Sequence, residues 1–226
     1  MLQCPPQQWI DAYEAGELGT DPRINAAIQD HESDLVEPVQ FQATPVTRGM
    51  YQLFDPHFDT TEYIAEELTD VAPEHFPMIR ASWFDAWVFC EWLGDRYRLP
   101  TSFQWEHACR AGTTTTFHFG DRLCGDLANC NGNFPDPDDD QHESAECLRG
   151  CTPAGWERYP CNDYGLLDVH GNVWEWCADW HSDSESSRVV RGGSCYDSAV
   201  SCRSADRDYD SPVGRLYCIG FRLVRV

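Results

Sequence analysis

The chain is 226 residues long and 42% hydrophobic, enough for one core with a modest extension, so one domain is expected. Its 38 acidic residues face only 16 basic ones, all arginine. The resulting formal charge of -22 repels phosphate backbones and argues against nucleic acid as a partner. No stretch approaches the roughly 20 apolar residues of a membrane helix. The start, Met1-Leu2-Gln3-Cys4-Pro5-Pro6, lacks the basic and apolar regions of a secretory signal, so a cytoplasmic location without membrane insertion is expected.

In chain order, the predicted elements begin with a helical lead-in. Trp9, Ile10, Tyr13, Leu18, Ile24, Ala27 and Ile28 recur at helical spacing over 8–30, interrupted by Gly19-Thr20-Asp21-Pro22. This places a short extension over 1–36, a candidate docking piece or fusion remnant, ahead of one domain over 37–226. Residues 40–46 predict a strand, and 47–54 a helix capped by Thr47. An amphipathic helix follows over 82–93, with Trp83, Ala86, Trp87, Phe89, Cys90 and Leu93 inward. Leu99-Pro100-Thr101 breaks the chain before another helix over 102–110.

From Thr113 to Tyr164 the pattern dissolves into Gly, Pro, Asp and Asn, an irregular stretch whose most polar point is Asp136-Pro137-Asp138-Asp139-Asp140. Order returns at 165–169 and 173–176; 189–191 reads as a strand edge and 220–224 as a closing strand. Trp174 and Trp176 flank Glu175 and point to the opposite face from it in an extended segment, which suits core packing. Gly192 and Gly193 let the backbone turn where a Cβ clashes, and Arg191 and Arg222 suit pairing with buried acids or carbonyls.

Of the twelve cysteines, Cys90, Cys109 and Cys177 sit among apolar residues and read as small buried core groups. Cys124, Cys130, Cys147, Cys151 and Cys161 cluster in the irregular stretch. Their spacings lack the paired C-x-x-C signature of structural zinc, and they are read as free thiols, with one disulfide or an adventitious metal site as the alternative.

Four segments resemble the sulfatase-modifying, formylglycine-generating-enzyme family. They are Pro45-Val46-Thr47, Ala81 through Gly112, Gly165 through Trp180, and Arg191-Gly192-Gly193-Ser194 with Gly220-Phe221-Arg222. The run His170-Gly171-Asn172-Val173-Trp174-Glu175-Trp176 is the most specific of them. The resemblance implies an α+β, C-type-lectin-like fold of the formylglycine-generating-enzyme subtype, with little regular secondary structure. It also implies two calcium sites. One would use the side chains of Asp168 and Glu175 with the carbonyls of Gly171 and Val173. The other would use Asn129, the carbonyls of Cys130 and Leu148, and Glu146.

The family's oxidase holds monovalent copper with two cysteines spaced Cys-x-x-x-x-Cys after Gly-Gly-Ser. Here Cys195 and Cys202 have six residues between them. Cys202 aligns better with a buried position before Arg203-Ser204-Ala205, so no copper and no oxidase activity are expected. Related iron-dependent sulfoxide synthases draw histidine ligands from a preceding helical domain, and the lead-in offers His31 alone.

The region 195–218 resembles the variable region of proteins diversified by diversity-generating retroelements. Fixed-looking Ala199, Arg203-Ser204-Ala205, Arg207, Pro212 and Arg215 alternate with candidate ligand-binding residues. The candidates are Cys195, Tyr196, Asp197, Ser198, Val200, Ser201, Asp206, Asp208, Tyr209, Asp210, Val213, Leu216 and Tyr217; Cys218 closes the segment. Adenine replacement turns asparagine codons into codons for many residues but never Lys, Glu, Gln, Trp or Met, and none of these occurs between 195 and 218. Tyrosines supply stiff amphipathic contacts while Ser and Asp supply adaptable hydrogen bonds. The expected function is non-catalytic binding of a variable protein or other macromolecular ligand, with a copper oxidase as the alternative.

Overall fold

The computed structural model describes residues 39–58, 63–123, 125–134, 147–182 and 185–226; the helical lead-in with His31, Cys124, the acidic loop at 136–140 and Glu146 lie outside them. Three short helices form where the sequence predicts them, each opened by a capping side chain. Helix α1 (Arg48–Gln52) starts at Thr47, whose hydroxyl accepts the Met50 N–H at 3.2 Å. Helix α2 (Trp83–Leu93) opens with a reciprocal box: Ser82 accepts the Asp85 N–H at 3.2 Å and Asp85 accepts the Ser82 N–H at 2.8 Å. Thr101 and Gln104 form the same box at the start of α3 (Ser102–Arg110). No helix among the described residues is long and apolar enough to cross a membrane.

The strands fall into two sheets. One has the order β1-β7-β2, from Gln40–Phe41, Val224–Arg225 and Tyr97–Arg98. The other has the order β5-β4-β3-β6, from Asp208–Asp210, Arg188–Arg191, Trp174–Trp180 and Ile219–Gly220. The expected strand over 40–46 therefore stops at Phe41. Val46 still bonds to its neighbours, donating to the Phe221 carbonyl at 2.8 Å and accepting the Met78 N–H at 2.7 Å.

The expected closing strand over 220–224 is split between the sheets. Gly220 runs parallel to β3 and Val224 runs antiparallel to β1 and β2. Between them Phe221 enters the core and Arg222 turns inward. A Cβ on Gly220 would lie 2.3 Å from the Met78 carbonyl oxygen, so the close approach requires glycine. Residues 189–191 are not at the sheet edge. Strand β5 pairs with them on the outer side, in the register Val189 to Tyr209 and Val190 to Asp208.

Strand β3 sorts the core. Trp174, Trp176 and Ala178 join Trp83, Phe84, Phe89 and Phe221 in the main cluster, while Cys177 joins Trp105 and Cys109 in a second one. Glu175 faces that second side and meets Arg222, both at 0% exposure. The pair is bidentate, with Nε to Oε2 at 2.6 Å and Nη2 to Oε1 at 2.7 Å, and the Trp105 indole N–H donates to Oε2 at 2.7 Å. Arg222 also donates to the carbonyls of Leu167 at 2.8 Å and of Gln42 and Ala43 at 3.3 Å, so every element around it is tied to one cation. Replacing Glu175 by Gln leaves that guanidinium buried without its counter-charge and is expected to destabilise the chain by about 3–5 kcal/mol. Urea unfolding reads this directly, and a loss below about 1 kcal/mol would show that the pair does not hold the fold.

Candidate functional site

The C-terminal region is pinned from beneath by buried polar side chains. Arg191 donates to Ser102 Oγ at 2.9 Å, to Glu106 at 2.7 Å, to the Ser204 carbonyl at 3.3 Å and to the Asp206 carbonyl. One guanidinium thus joins α3, β4 and the loop leading to β5. Farther on, the Trp83 N–H donates to the Pro212 carbonyl at 3.1 Å and the Arg80 N–H to the Leu216 carbonyl at 3.0 Å. Arg215 pairs with buried Asp85 at 2.7 Å. Gly193, at φ +74, lets this backbone pass Cys202; an added Cβ would sit 2.5 Å from its sulfur.

His170 lies under the same region and is neutral: burial first, then the nearby His118, lowers its pKa to about 3. Its Nε2 accepts the His118 N–H at 3.1 Å, which leaves the proton on Nδ1, donated to the Cys202 carbonyl at 2.7 Å.

The thirteen candidate binding residues do not all reach the surface. Cys195 is fully buried and is corrected to a core position, because its side chain turns under the segment towards Cys151. Asp197 is only half-buried, but its carboxylate works inward, accepting the Trp174 indole N–H at 2.8 Å, the Ser194 N–H at 3.1 Å and the Ser194 hydroxyl. Ser198, Val200 and Ser201 lie half-buried at a single 3₁₀ turn (Ala199–Cys202), whose Ala199 N–H donates to the Phe134 carbonyl. Val213 packs against the main core.

The remaining residues form two groups, in which Asp208, Tyr209, Leu216 and Tyr217 are exposed while Tyr196, Asp206 and Asp210 are half-buried. Tyr196, Leu216 and Tyr217 make an aromatic one, in which Tyr196 meets Tyr217 edge to face at 5.2 Å. Asp206, Asp208, Tyr209 and Asp210 make an acidic one along edge strand β5. Burial first, then the charge of Asp208, raises the pKa of both Asp206 and Asp210, so these carboxylates share one field.

Sequence reasoning missed two members of these groups. Tyr63 stacks on Tyr217 at 4.6 Å, and His181 lies 4.0 Å from the Tyr209 ring. Both belong to distant segments, and no local pattern could have singled them out. An open apolar groove of about 450 Å³ lies elsewhere, lined by residues such as Met50, Leu53, Trp92 and Leu223, and none of the thirteen candidates borders it.

The two expected calcium sets differ. At the first, both Glu175 oxygens are already held by Arg222 and Trp105. Asp168 accepts the Gly155 N–H, and burial pushes its carboxyl up to about 6. The Gly171 carbonyl accepts the Val173 N–H at 2.9 Å. The positive charge these acids need comes from a guanidinium, and Glu175 does not fit as a free cation ligand. At the second, Asn129 Oδ1 is a buried acceptor without a hydrogen-bond partner, while its Nδ2 is bound to the Gly150 carbonyl at 2.9 Å. The carbonyls of Cys130 and Leu148 belong to that irregular region, and the fourth member, Glu146, lies outside the described residues. An orphaned hard oxygen suits a calcium ion.

A model of the sulfatase-modifying factor enzyme 1-like domain matches residues 15–226. The chain belongs to this family. The match reaches back into the span 1–36 read as an extension. Within the sulfatase-modifying-factor family, the formylglycine-generating enzyme of Streptomyces coelicolor is 34% identical over 175 residues, covering 66% of this chain and 52% of that enzyme. An inactive Cα-formylglycine-generating enzyme 2 of Bos taurus is 37% identical over 127 residues, covering 55% and 40%. The chain spans about half the length of the curated relatives it matches. Among solved structures, Treponema denticola variable protein 1 superposes with a TM-score of 0.63 over 83% of this chain and 84% of that one, at 23% identity. The fold is thus the expected C-type-lectin-like α+β fold.

Glu106 joins Arg191 to Arg110, at 2.7 and 2.9 Å. Burial alone raises its carboxyl, but the two guanidinium groups outweigh burial and hold it below its ordinary value of 4.5. A carboxyl depressed in the folded state stabilises fully above its unfolded pKa and loses that contribution as the pH falls through the folded one. The Tm gap between the natural chain and Glu106→Gln is therefore expected to be widest at pH 7 and to narrow below pH 4.5. A gap that does not change with pH would rule out this role for the Arg191 cluster.

Proposed function

We propose that the chain is a non-catalytic binding module of the sulfatase-modifying-factor family, diversified in its C-terminal region by a diversity-generating retroelement. It would recognise a protein or other macromolecule through Tyr196, Leu216 and Tyr217 with Tyr63, and through the acidic edge at Asp206, Asp208, Tyr209 and Asp210. The observation that carries this reading is the division of labour within 195–218. Ala199, Ser204 and Pro212 are buried and Arg215 is ion-paired, whereas Tyr209, Leu216 and Tyr217 are 53%, 44% and 40% exposed. Exposed side chains on a pinned backbone can change identity without moving the frame. Of the fixed-looking residues, Ala205 and Arg207 are exposed as well.

The same reading predicts how substitutions are tolerated. Saturation of Asp208, Tyr209, Leu216 and Tyr217 is expected to leave most variants folded, with single changes within about 0.5 kcal/mol, the range of ordinary surface positions. Saturation of Arg191 or Ser204 is expected to unfold most variants. Protease-resistant display of the library measures both, and equal intolerance at the two classes would sink the reading. The DNA beside the coding region is expected to hold a reverse transcriptase and a near-copy of the segment differing only at adenines.

Sequence similarity to formylglycine-generating enzymes keeps a copper oxidase as the competing function. That chemistry needs two thiolates on one soft ion. Cys195 and Cys202 instead lie in different clusters, each beside another cysteine. Titration with monovalent copper is therefore expected to show no site that needs both Cys195 and Cys202, and copper-dependent turnover of a cysteine-containing peptide would overturn the assignment.

Calcium is proposed at Asn129, whose Oδ1 is a buried acceptor without a hydrogen-bond partner, with the carbonyls of Cys130 and Leu148 and the side chain of Glu146 as the further ligands that the family resemblance implies. Chelation should lower Tm by several degrees, calcium should restore it, and Asn129→Ala should abolish the response. An unchanged Tm on chelation would remove calcium from the account.

A further inference from the structure

Four buried cysteines stand in two pairs, and neither pair is adjacent in sequence. Cys130 lies beside Cys202, and Cys151 beside Cys195, each pair close enough for one thiol to hydrogen-bond the other. Their exposures are 2%, 0%, 0% and 0%, and each pair shares one hydrophobic cluster.

The backbone explains the pairing. Asn172 donates its N–H to the Asn129 carbonyl at 2.7 Å, and its side chain bonds the Thr152 N–H and carbonyl at 3.0 and 3.2 Å. Its own carbonyl accepts the Cys195 N–H at 3.1 Å. The chain neighbours of Cys130 and Cys151, and Cys195 itself, are thus held by one residue. The Asn131 N–H, donating to the Asp197 carbonyl at 2.8 Å, lays the chain after Cys130 alongside the approach to Cys202. Cys109 and Cys177 differ: their sulfurs meet a histidine or backbone carbonyls, as small core groups do.

We propose that Cys130 with Cys202 and Cys151 with Cys195 are two disulfide-forming couples that fasten the irregular middle segment to the C-terminal surface. The oxidant is a low-molecular-weight disulfide. One protein thiolate attacks a sulfur of this compound and expels the first small thiolate. The second protein thiolate then attacks the mixed disulfide and expels the other. Two protein thiols lose two protons and two electrons in forming one S–S bond, and the oxidant leaves as two thiols. The hydrogen bond from Cys202 holds the Cys130 thiol below its ordinary pKa of 9.0, which makes Cys130 the attacking group of its couple. Because the sulfurs are buried, exchange proceeds before the core closes or through local opening.

The test uses the full chain, equilibrated either with oxidised glutathione or with excess dithiothreitol, then denatured, alkylated and mapped by mass spectrometry. After oxidation, peptides linked 130 to 202 and 151 to 195 are expected, with Cys90, Cys109 and Cys177 alkylated. The oxidised form should melt on the order of 10 °C higher, since each link closes a loop of roughly 40 to 70 residues. Cys202→Ser should lose the first link alone and Cys195→Ser the second alone. The map of the unaltered chain decides the matter even where a variant fails to fold. Alkylation of all four sulfurs after oxidation, or links to Cys124, Cys147 or Cys161 instead, would overturn the proposal.

Discussion

The buried pair of Glu175 and Arg222 is the constraint on which the rest of the structure depends. Arg222 turns in from the last segment of the chain to meet Glu175 on β3, and the same guanidinium gathers carbonyls from 42, 43 and 167. A domain with strands of two to seven residues has few ladder bonds to define it. Charged side chains aimed at carbonyls take over that work, and a buried cation that must be paired makes the arrangement close to all-or-none.

Arg191 repeats the device one layer outward. It takes its counter-charge from Glu106 and spends its other donors on the carbonyls of Ser204 and Asp206, the stretch that leads into β5. Strand β5 is the edge of its sheet, and its acidic side chains guard that edge against pairing with another chain. The consequence is that the outer side chains of this stretch stand on a backbone that the interior defines. The aromatic group borrows Tyr63 from a distant segment, so the surface is wider than the tail alone.

The cysteine couples belong to the same logic. Among the described residues between 113 and 164 the chain has almost no regular structure, and it needs cross-connections to the ordered parts. Asn172 supplies them through hydrogen bonds at Asn129 and Thr152, and the paired sulfurs lie one residue away from each. Oxidation would make covalent what the asparagine already arranges.

By itself the sequence determined the three helices and the Thr47 cap, the inward tryptophans of β3, the roles of Arg191 and Arg222 as partners of buried acids and carbonyls, and the family. All of these are carried by side chains close together in sequence or by a motif read as a unit. The sequence also singled out 195–218 as the candidate binding region. Only the tertiary structure decided which of those residues face outward. It buried Cys195, turned Asp197 inward, split the closing strand between two sheets and brought Tyr63, Cys130 and Cys151 to the tail. The physical reason is that each of these outcomes depends on a partner many residues away, whose position is set by the fold of the whole chain and leaves no periodicity in the local sequence.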